Sequence, residues 1–177
     1  SALETIDQLR ANPGLNRILQ NPYAVCPDGK RAGVRQPGLS GARKSQFTGN
    51  WLHAFIMAPV NTKIVHASNA RMGYPYGEDF EYSEWQLAPN ALAAYLTSFS
   101  LGLLMLALYF PWTRQWLSRF LPAPGEGPSL EQRVNGRFEL HFNALTHDGR
   151  KALCRVTGDA DPGYGSTAKQ ISEVALG

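Results

Sequence analysis

Between Ala91 and Phe110 the chain reads ALAAYLTSFSLGLLMLALYF, without a single charge. About twenty apolar residues is the length at which a helix can cross a bilayer's hydrocarbon, so any fold must find a place for this surface. Leu92, Leu96, Phe99, Leu103, Leu106 and Phe110 form a bulky stripe at helical spacing. Ala94, Ser98 and Gly102, four apart, form a small-residue groove on another face, where a second backbone can approach closely. Pro111 breaks or kinks that helix, and WTRQWLSRFL restarts with Trp112, Trp116 and Phe120 on one side. Arg114, Gln115, Ser118 and Arg119 supply the other side, and tryptophan with arginine suits a headgroup boundary. Three destinations compete: burial against a sheet or in a subunit interface, insertion into one leaflet, and a full membrane span. Thr97, Ser98, Ser100 and Gly102 dilute the hydrophobicity and both flanks read as parts of one soluble domain, which favours burial.

The remaining totals set bounds. A chain of 177 residues, 44% hydrophobic and 18% charged, is long enough for one globular domain with a sizeable core and is expected to form a single α+β domain over 1–177. A net charge of +3 with no dense Lys/Arg block gives no reason to expect nucleic acid. Cys26 and Cys154 share no motif, which suggests a reducing compartment, and His53, His66, His141 and His147 lack metal-ligand spacing. No metal is expected. SALETIDQLR reads as a capped helix with Leu3, Ile6 and Leu9 on one face, not as a signal peptide. The expected location is cytoplasmic, with peripheral membrane contact as the extension.

Along the chain, Asn12 and Pro13 predict a helix running to Gln20. Seven prolines and glycines between Pro22 and Gly41 make 21–50 a long ordered loop or arm. The run WLHAFIMAPV is ambiguous between strand and helix, and Asn61 is placed to cap a helix running to Arg71, with Ile64, Val65 and Ser68 on one side and Gly73 ending it. FEYSEWQL, from Phe80, alternates like a strand. The clearest element is a β-hairpin at about 137–157. Phe138, Leu140, Phe142 and Ala144 share a face, Asp148–Gly149 makes the turn, and Ala152, Cys154 and Val156 answer on the return. The fold class is therefore α+β, with a mixed or antiparallel sheet that includes this hairpin and the long apolar helix and shorter helices packed on it.

Chemistry-bearing motifs are few. Gly125–Glu126–Gly127 and Gly163–Tyr164–Gly165 both lack the third glycine of a dinucleotide fingerprint, and no phosphate-binding GxxxxGK[ST] or GxSxG elbow occurs. After the hairpin, Asp161–Pro162 starts a turn and Ser166 or Thr167 can cap a helix carrying Ala168, Ile171, Val174 and Ala175. That helix start, beside Lys169, either holds an anion or is an ordinary capped helix, and the residues alone favour the second. Pro122–Ser129 reads as a rigid loop or linker with one carboxylate, Glu126, and Tyr74 and Tyr76 as a packed aromatic turn.

FIMAPVNTKIVHASNARMGYPYG, then FEYSEW, LPAPGEGPSLEQRVNGRFELHF and GDADPGYGSTAKQISEVAL, occur in an order that resembles saccharopine-dehydrogenase-like oxidoreductases. The similar proteins include the trans-acting enoyl reductases of mycobacterial lipid synthesis. GEGPS and DPGYG with TAK are the most specific parts of the resemblance. It implies that this chain is the α+β portion that follows an NAD(P)-binding Rossmann domain. That portion supplies contacts to a small-molecule or lipid-like substrate and associates into a homo-oligomer such as a dimer. The chain alone is then expected to bind no cofactor and to be inert. By the same resemblance Asn61, Gly163, Tyr164, Gly165 and Thr167 line the cleft toward the nucleotide domain, with no catalytic residue assigned. The alternative is a lipid or membrane docking module built on 91–121, with Ala94, Ser98, Gly102, Trp112, Trp116 and Phe120 as its contact residues.

Overall fold

The computed structural model describes residues 12–117 and 127–176. The expected helix on Leu3, Ile6 and Leu9, the position of Phe120 and most of the Pro122–Ser129 loop lie outside them. The chain forms two compact units, 1–118 and 119–177.

In the first unit, helix α1 (Pro13–Gln20) begins as expected: Asn12 accepts from the Gly14 N–H at 3.1 Å and Pro13 sits in the first turn. An arm without regular structure follows, but it ends before the expected residue 50: past Gly41 no proline interrupts the chain, and Ala42–Lys44 form strand β1. β1 pairs antiparallel with β2 (Trp51–Ala54), which resolves the ambiguous WLHA run as strand. Helix α2 spans Ala58–Arg71 with Met57 at its cap, four residues earlier than a cap at Asn61 predicts. Pro59 explains the shift, because its fixed φ and missing N–H suit a first turn. Gly73, at φ 79°, ends the helix as expected.

Strand β3 (Trp85–Ala88) completes a three-stranded antiparallel sheet in the order β1-β2-β3, with Trp51 opposite Ala88 and Ala54 opposite Trp85. The strand expected from Phe80 thus starts at Trp85. The reason lies in Gln36, whose Nε2 donates to the Phe80 carbonyl (3.1 Å) and whose Oε1 accepts from the Tyr82 N–H (2.9 Å). One side chain takes the backbone groups a neighbouring strand would have paired. Alternation reports an extended chain, not its partner.

Helix α3 (Ala91–Tyr109) is capped by Asn90, which accepts from the Ala93 N–H at 2.9 Å, and stops before Pro111. Helix α4 (Pro111–Leu117) restarts at once, with the Thr113 hydroxyl bonded to the Phe110 carbonyl at 2.9 Å. α3 packs on the sheet through the fully buried Ala94 and through Tyr95, whose ring centroid lies 5.7 Å from that of Trp51. Only 6% of its apolar window is buried, so the burial favoured from the sequence is met on one narrow face alone. Among the described residues the buried apolar set is Cys26, Ala58, Ala67, Ala70 and Ala94, and no large side chain is wholly enclosed.

The second unit holds helix α5 (Leu130–Asn135), started by a Ser129–Gln132 capping box. It continues into the hairpin of β4 (Phe138–Leu145) and β5 (Lys151–Gly158) and then α6 (Gly165–Leu176). The hairpin register pairs Leu140 with Val156, Phe142 with Cys154 and Ala144 with Ala152, the facing set read from the sequence. The hairpin is, however, a two-stranded sheet of its own and not part of the β1-β2-β3 sheet as expected, because its strands pair only with each other. Its loop closes through the Thr146 N–H to the Arg150 carbonyl (2.9 Å), with Gly149 at φ 84°.

Candidate functional site

One carboxylate organises the turn before α6. Asp161 Oδ1 accepts from the Gly163 and Tyr164 N–H groups (2.9 and 3.0 Å), and its Oδ2 accepts from Gly165 N–H (2.7 Å). These bonds, the Gly165 bond foremost, hold the Asp161 carboxyl below the ordinary aspartate range. The expected caps, Ser166 and Thr167, instead donate backward to the Ala160 carbonyl (3.2 Å) and the Pro162 carbonyl (2.8 Å). Asp161 wins because two carboxylate oxygens satisfy three orphan N–H groups at once. The Lys169 ammonium lies on Asp159 at 2.8 Å. The N–H groups that a phosphate would need are therefore engaged inside the turn, and the capped-helix reading holds. A pyrophosphate does not fit into this turn as it stands. Tyr164 is exposed, and a Cβ placed on Gly127 would meet its ring at 3.6 Å.

Asn61 belongs to the first unit and Gly163–Thr167 to the second. Within α2, Asn61 is half-buried and Nδ2 donates to Glu84 Oε2 at 2.7 Å, tying the helix to the residue before β3.

The buried face of α2 is unexpectedly polar. Thr62, His66 and Asn69, at spacings of four and three, are 2%, 3% and 2% exposed, whereas Ile64 and Ser68 face outward. Asn69 is satisfied: its amide donates to the Gly77 carbonyl (2.9 Å) and accepts from the Tyr76 N–H (3.1 Å). Thr62 Oγ1 and His66 Nε2 have no hydrogen-bond partner. Burial pushes the His66 pKa down, which favours the neutral ring.

The arm after α1 covers this stripe. The Tyr23 ring lies 4.8 Å from His66, and the Phe80 ring meets His66 edge-on at 5.8 Å. The Tyr23 hydroxyl donates to the Val34 carbonyl (2.7 Å) and accepts from Gln36 Nε2 (2.6 Å). Gly33 is required at this point, since a Cβ there would meet the Tyr23 ring at 2.5 Å. Beneath the arm is a chamber of about 100 Å³ lined by Tyr23, Cys26, His66, Asn69 and Phe80 among others. Beside it runs an open cleft of about 610 Å³ that reaches Thr62, and Tyr23, Ala32 and Gly33 wall both.

The apolar segment presents a second surface. Leu92, Phe99 and Leu106 on α3 are 68%, 70% and 55% exposed, and Trp112 and Trp116 on α4 are 73% and 60% exposed. The small-residue groove is divided: Ala94 is used by the sheet, Ser98 is half-buried, and Gly102 is open with nothing within 4 Å of a Cβ placed there.

No family model and no solved structure matches this chain. Named proteins do. A Mycobacterium tuberculosis (strain H37Rv) protein, named provisionally as a trans-acting enoyl reductase, is 33% identical over 189 residues, covering 99% of this chain and 45% of that protein. The trans-acting enoyl reductase of Mycobacterium ulcerans is 31% identical over 186 residues, 98% of this chain and 44% of that protein. The trans-acting enoyl reductase of Mycobacterium bovis (strain BCG / Pasteur 1173P2) is 29% identical over 188 residues, again 98% and 44%. The chain is similar to the trans-acting enoyl reductases. It spans less than half the length of these relatives.

The cleft residues expected from the sequence, Asn61, Gly163, Tyr164, Gly165 and Thr167, do not include Thr62, His66 or Gln36. The signal for Thr62 and His66 was present as polar residues four apart on a predicted helix. Gln36 carried no signal, because only the folded arm brings it to Phe80 and Tyr82.

Proposed function

We propose that this chain is the substrate-binding and association part of a saccharopine-dehydrogenase-like oxidoreductase of the trans-acting enoyl reductase kind. Its substrate is lipid-like, and NAD(P) is held by a Rossmann domain in the part of the protein that the relatives have beyond this region. The observation that carries this reading is the near end-to-end similarity to relatives more than twice as long. Two features of the chain agree with it. The glycine turn before α6 spends its N–H groups on Asp161, which agrees with a nucleotide held by another region. The uncovered stripe on α3 suits an acyl chain or an enzyme that works at its reservoir.

The test compares the complete gene product containing this chain with the 177-residue chain alone, following NADPH oxidation with an enoyl thioester of a long acyl chain. Oxidation by the complete protein and none by the chain is expected. Inactivity of the complete protein, or saturable NADPH binding by the chain in calorimetry, overturns the reading.

A second reading is favoured by the exposure of Trp112 and Trp116 at the end of a 19-residue apolar helix: α3 and α4 rest on a membrane surface. The two readings are compatible. An enzyme whose substrate dissolves in lipid gains from lying on it.

A further inference from the structure

Buried polar atoms in folded proteins are hydrogen-bonded in the great majority of cases, so each exception calls for an explanation. Among the described residues three side-chain atoms are buried without a partner: Thr62 Oγ1, His66 Nε2 and Ser98 Oγ. The first two lie one helical turn apart on the same buried stripe of α2; His66 lines the inner chamber and Thr62 the cleft beside it, and Tyr23, Ala32 and Gly33 wall both cavities. Residues four apart on a helix are surface neighbours, about 5–6 Å between Cβ atoms, which lets both side chains reach one small group.

The chemistry of the surroundings narrows what that group is. Lys30 and Glu78 both line the inner chamber, so their charges oppose each other and leave no excess to hold an ion. No group of three His, Cys, Asp or Glu side chains able to hold a metal occurs among the described residues. The walls contributed by Tyr23, Tyr74 and Phe80 are aromatic. A chamber of about 100 Å³ is two-thirds of the roughly 150 Å³ that takes benzene, which leaves room for about four heavy atoms. An uncharged imidazole can carry its proton on Nε2, and a threonine hydroxyl can rotate its proton to suit. Two donors converge most simply on an oxygen with two lone pairs.

We propose that Thr62 Oγ1 and His66 Nε2 are the paired donors of a binding site for an uncharged carbonyl group, seated between α2 and the arm around Tyr23 and Gly33. The carbonyl oxygen sits where the chamber and the cleft share the wall of Tyr23 and Gly33 and accepts from both, and the two or three atoms next to it in the ligand fill the inner chamber. The remainder of a longer ligand lies in the adjoining cleft. Gln36, by holding the arm to Phe80 and Tyr82, keeps the roof in place. The site is independent of the proposed redox role, because it rests on unpartnered atoms and cavities within the first unit.

The experiment titrates the 15N-histidine-labelled chain with acetamide, a neutral carbonyl compound of four heavy atoms, and reads the ring nitrogens of its four histidines by NMR. A saturable shift of one imidazole, absent in His66→Phe, is expected, and acetate should produce none. Thr62→Val keeps the side-chain shape, removes one donor and should weaken acetamide binding about tenfold. Because it also removes an unpaired hydroxyl, Thr62→Val should raise the Tm of the unliganded chain, which checks that the variant is folded. A cavity holding water alone gives no saturable shift. That outcome, equal affinity in Thr62→Val, or acetate binding as well as acetamide, overturns the proposal.

Discussion

Asp161 replaces three separate caps with one carboxylate, and the consequence can be measured by acidification. Its folded carboxyl titrates below the unfolded value of about 3.9, so its contribution is complete above that pH and is lost as pH falls through the folded value. Amide exchange at Gly163, Tyr164 and Gly165 should therefore accelerate in that acid window. In Asp161→Ala these amides should exchange fast at neutral pH already, with no further acid step attributable to this turn. Gln36 gives a second residue-scale test, because its amide holds the Tyr23 hydroxyl, the Phe80 carbonyl and the Tyr82 N–H together. Gln36→Ala should lower stability by about 1–3 kcal/mol in urea unfolding, since half-buried groups lose partners. It should also unroof Cys26. The wild-type chain should show fast reaction with a thiol reagent at the exposed Cys154 only, and the variant at both cysteines. Neither residue was readable as an anchor beforehand: Asp161 looked like a turn former, and Gln36 acts over 44 and 46 residues of separation.

At the scale of elements, what the sequence disclosed depended on how local the deciding force was. The β4–β5 hairpin was legible because period-two alternation and Asp148–Gly149 specify register within a short window. α3 was legible from its uncharged run and the proline that ends it. The start of α2 was misplaced because Asn61 and Pro59 gave competing signals and the proline prevailed. The early start of the strand at Phe80 failed for a non-local reason, the Gln36 contact. A close approach inside the hairpin was equally hidden: Gly158 faces Phe138, and a Cβ there would lie 1.9 Å from the ring. Gly158→Ala should displace that ring and destabilise the second unit by about 1–3 kcal/mol, read from a lower Tm and faster amide exchange along β5. Gly149→Ala, at φ 84° with open space around it, strains only the loop backbone and should cost less.

For the molecule as a whole, the question is where so much apolar surface goes. Among the described residues the buried apolar set is four alanines and a cysteine, while leucines, phenylalanines and tryptophans along α3 and α4 stay in the open. Each such side chain gains about 1.5–3 kcal/mol when fully removed from water, so a few of them suffice to hold a surface to lipid or to another protein. Electrostatics adds little, because the net charge is only +3 and exposed charges are screened beyond about 8 Å at physiological salt. The two contributions separate in a co-sedimentation assay with uncharged phosphatidylcholine vesicles. If α3 and α4 dock by apolar burial, the chain should pellet with vesicles equally at physiological and at molar salt. Trp112→Ser with Trp116→Ser should release it, because both tryptophans are well exposed and lie where a headgroup boundary would be. Equal pelleting of variant and wild type removes the membrane reading. Light scattering then tests the remaining use of the groove: Gly102→Leu fills open space without touching the fold and should shift the oligomer only if a second copy packs there. An unchanged oligomer together with unchanged pelleting would leave the further region proposed from the longer relatives as the surface that covers α3.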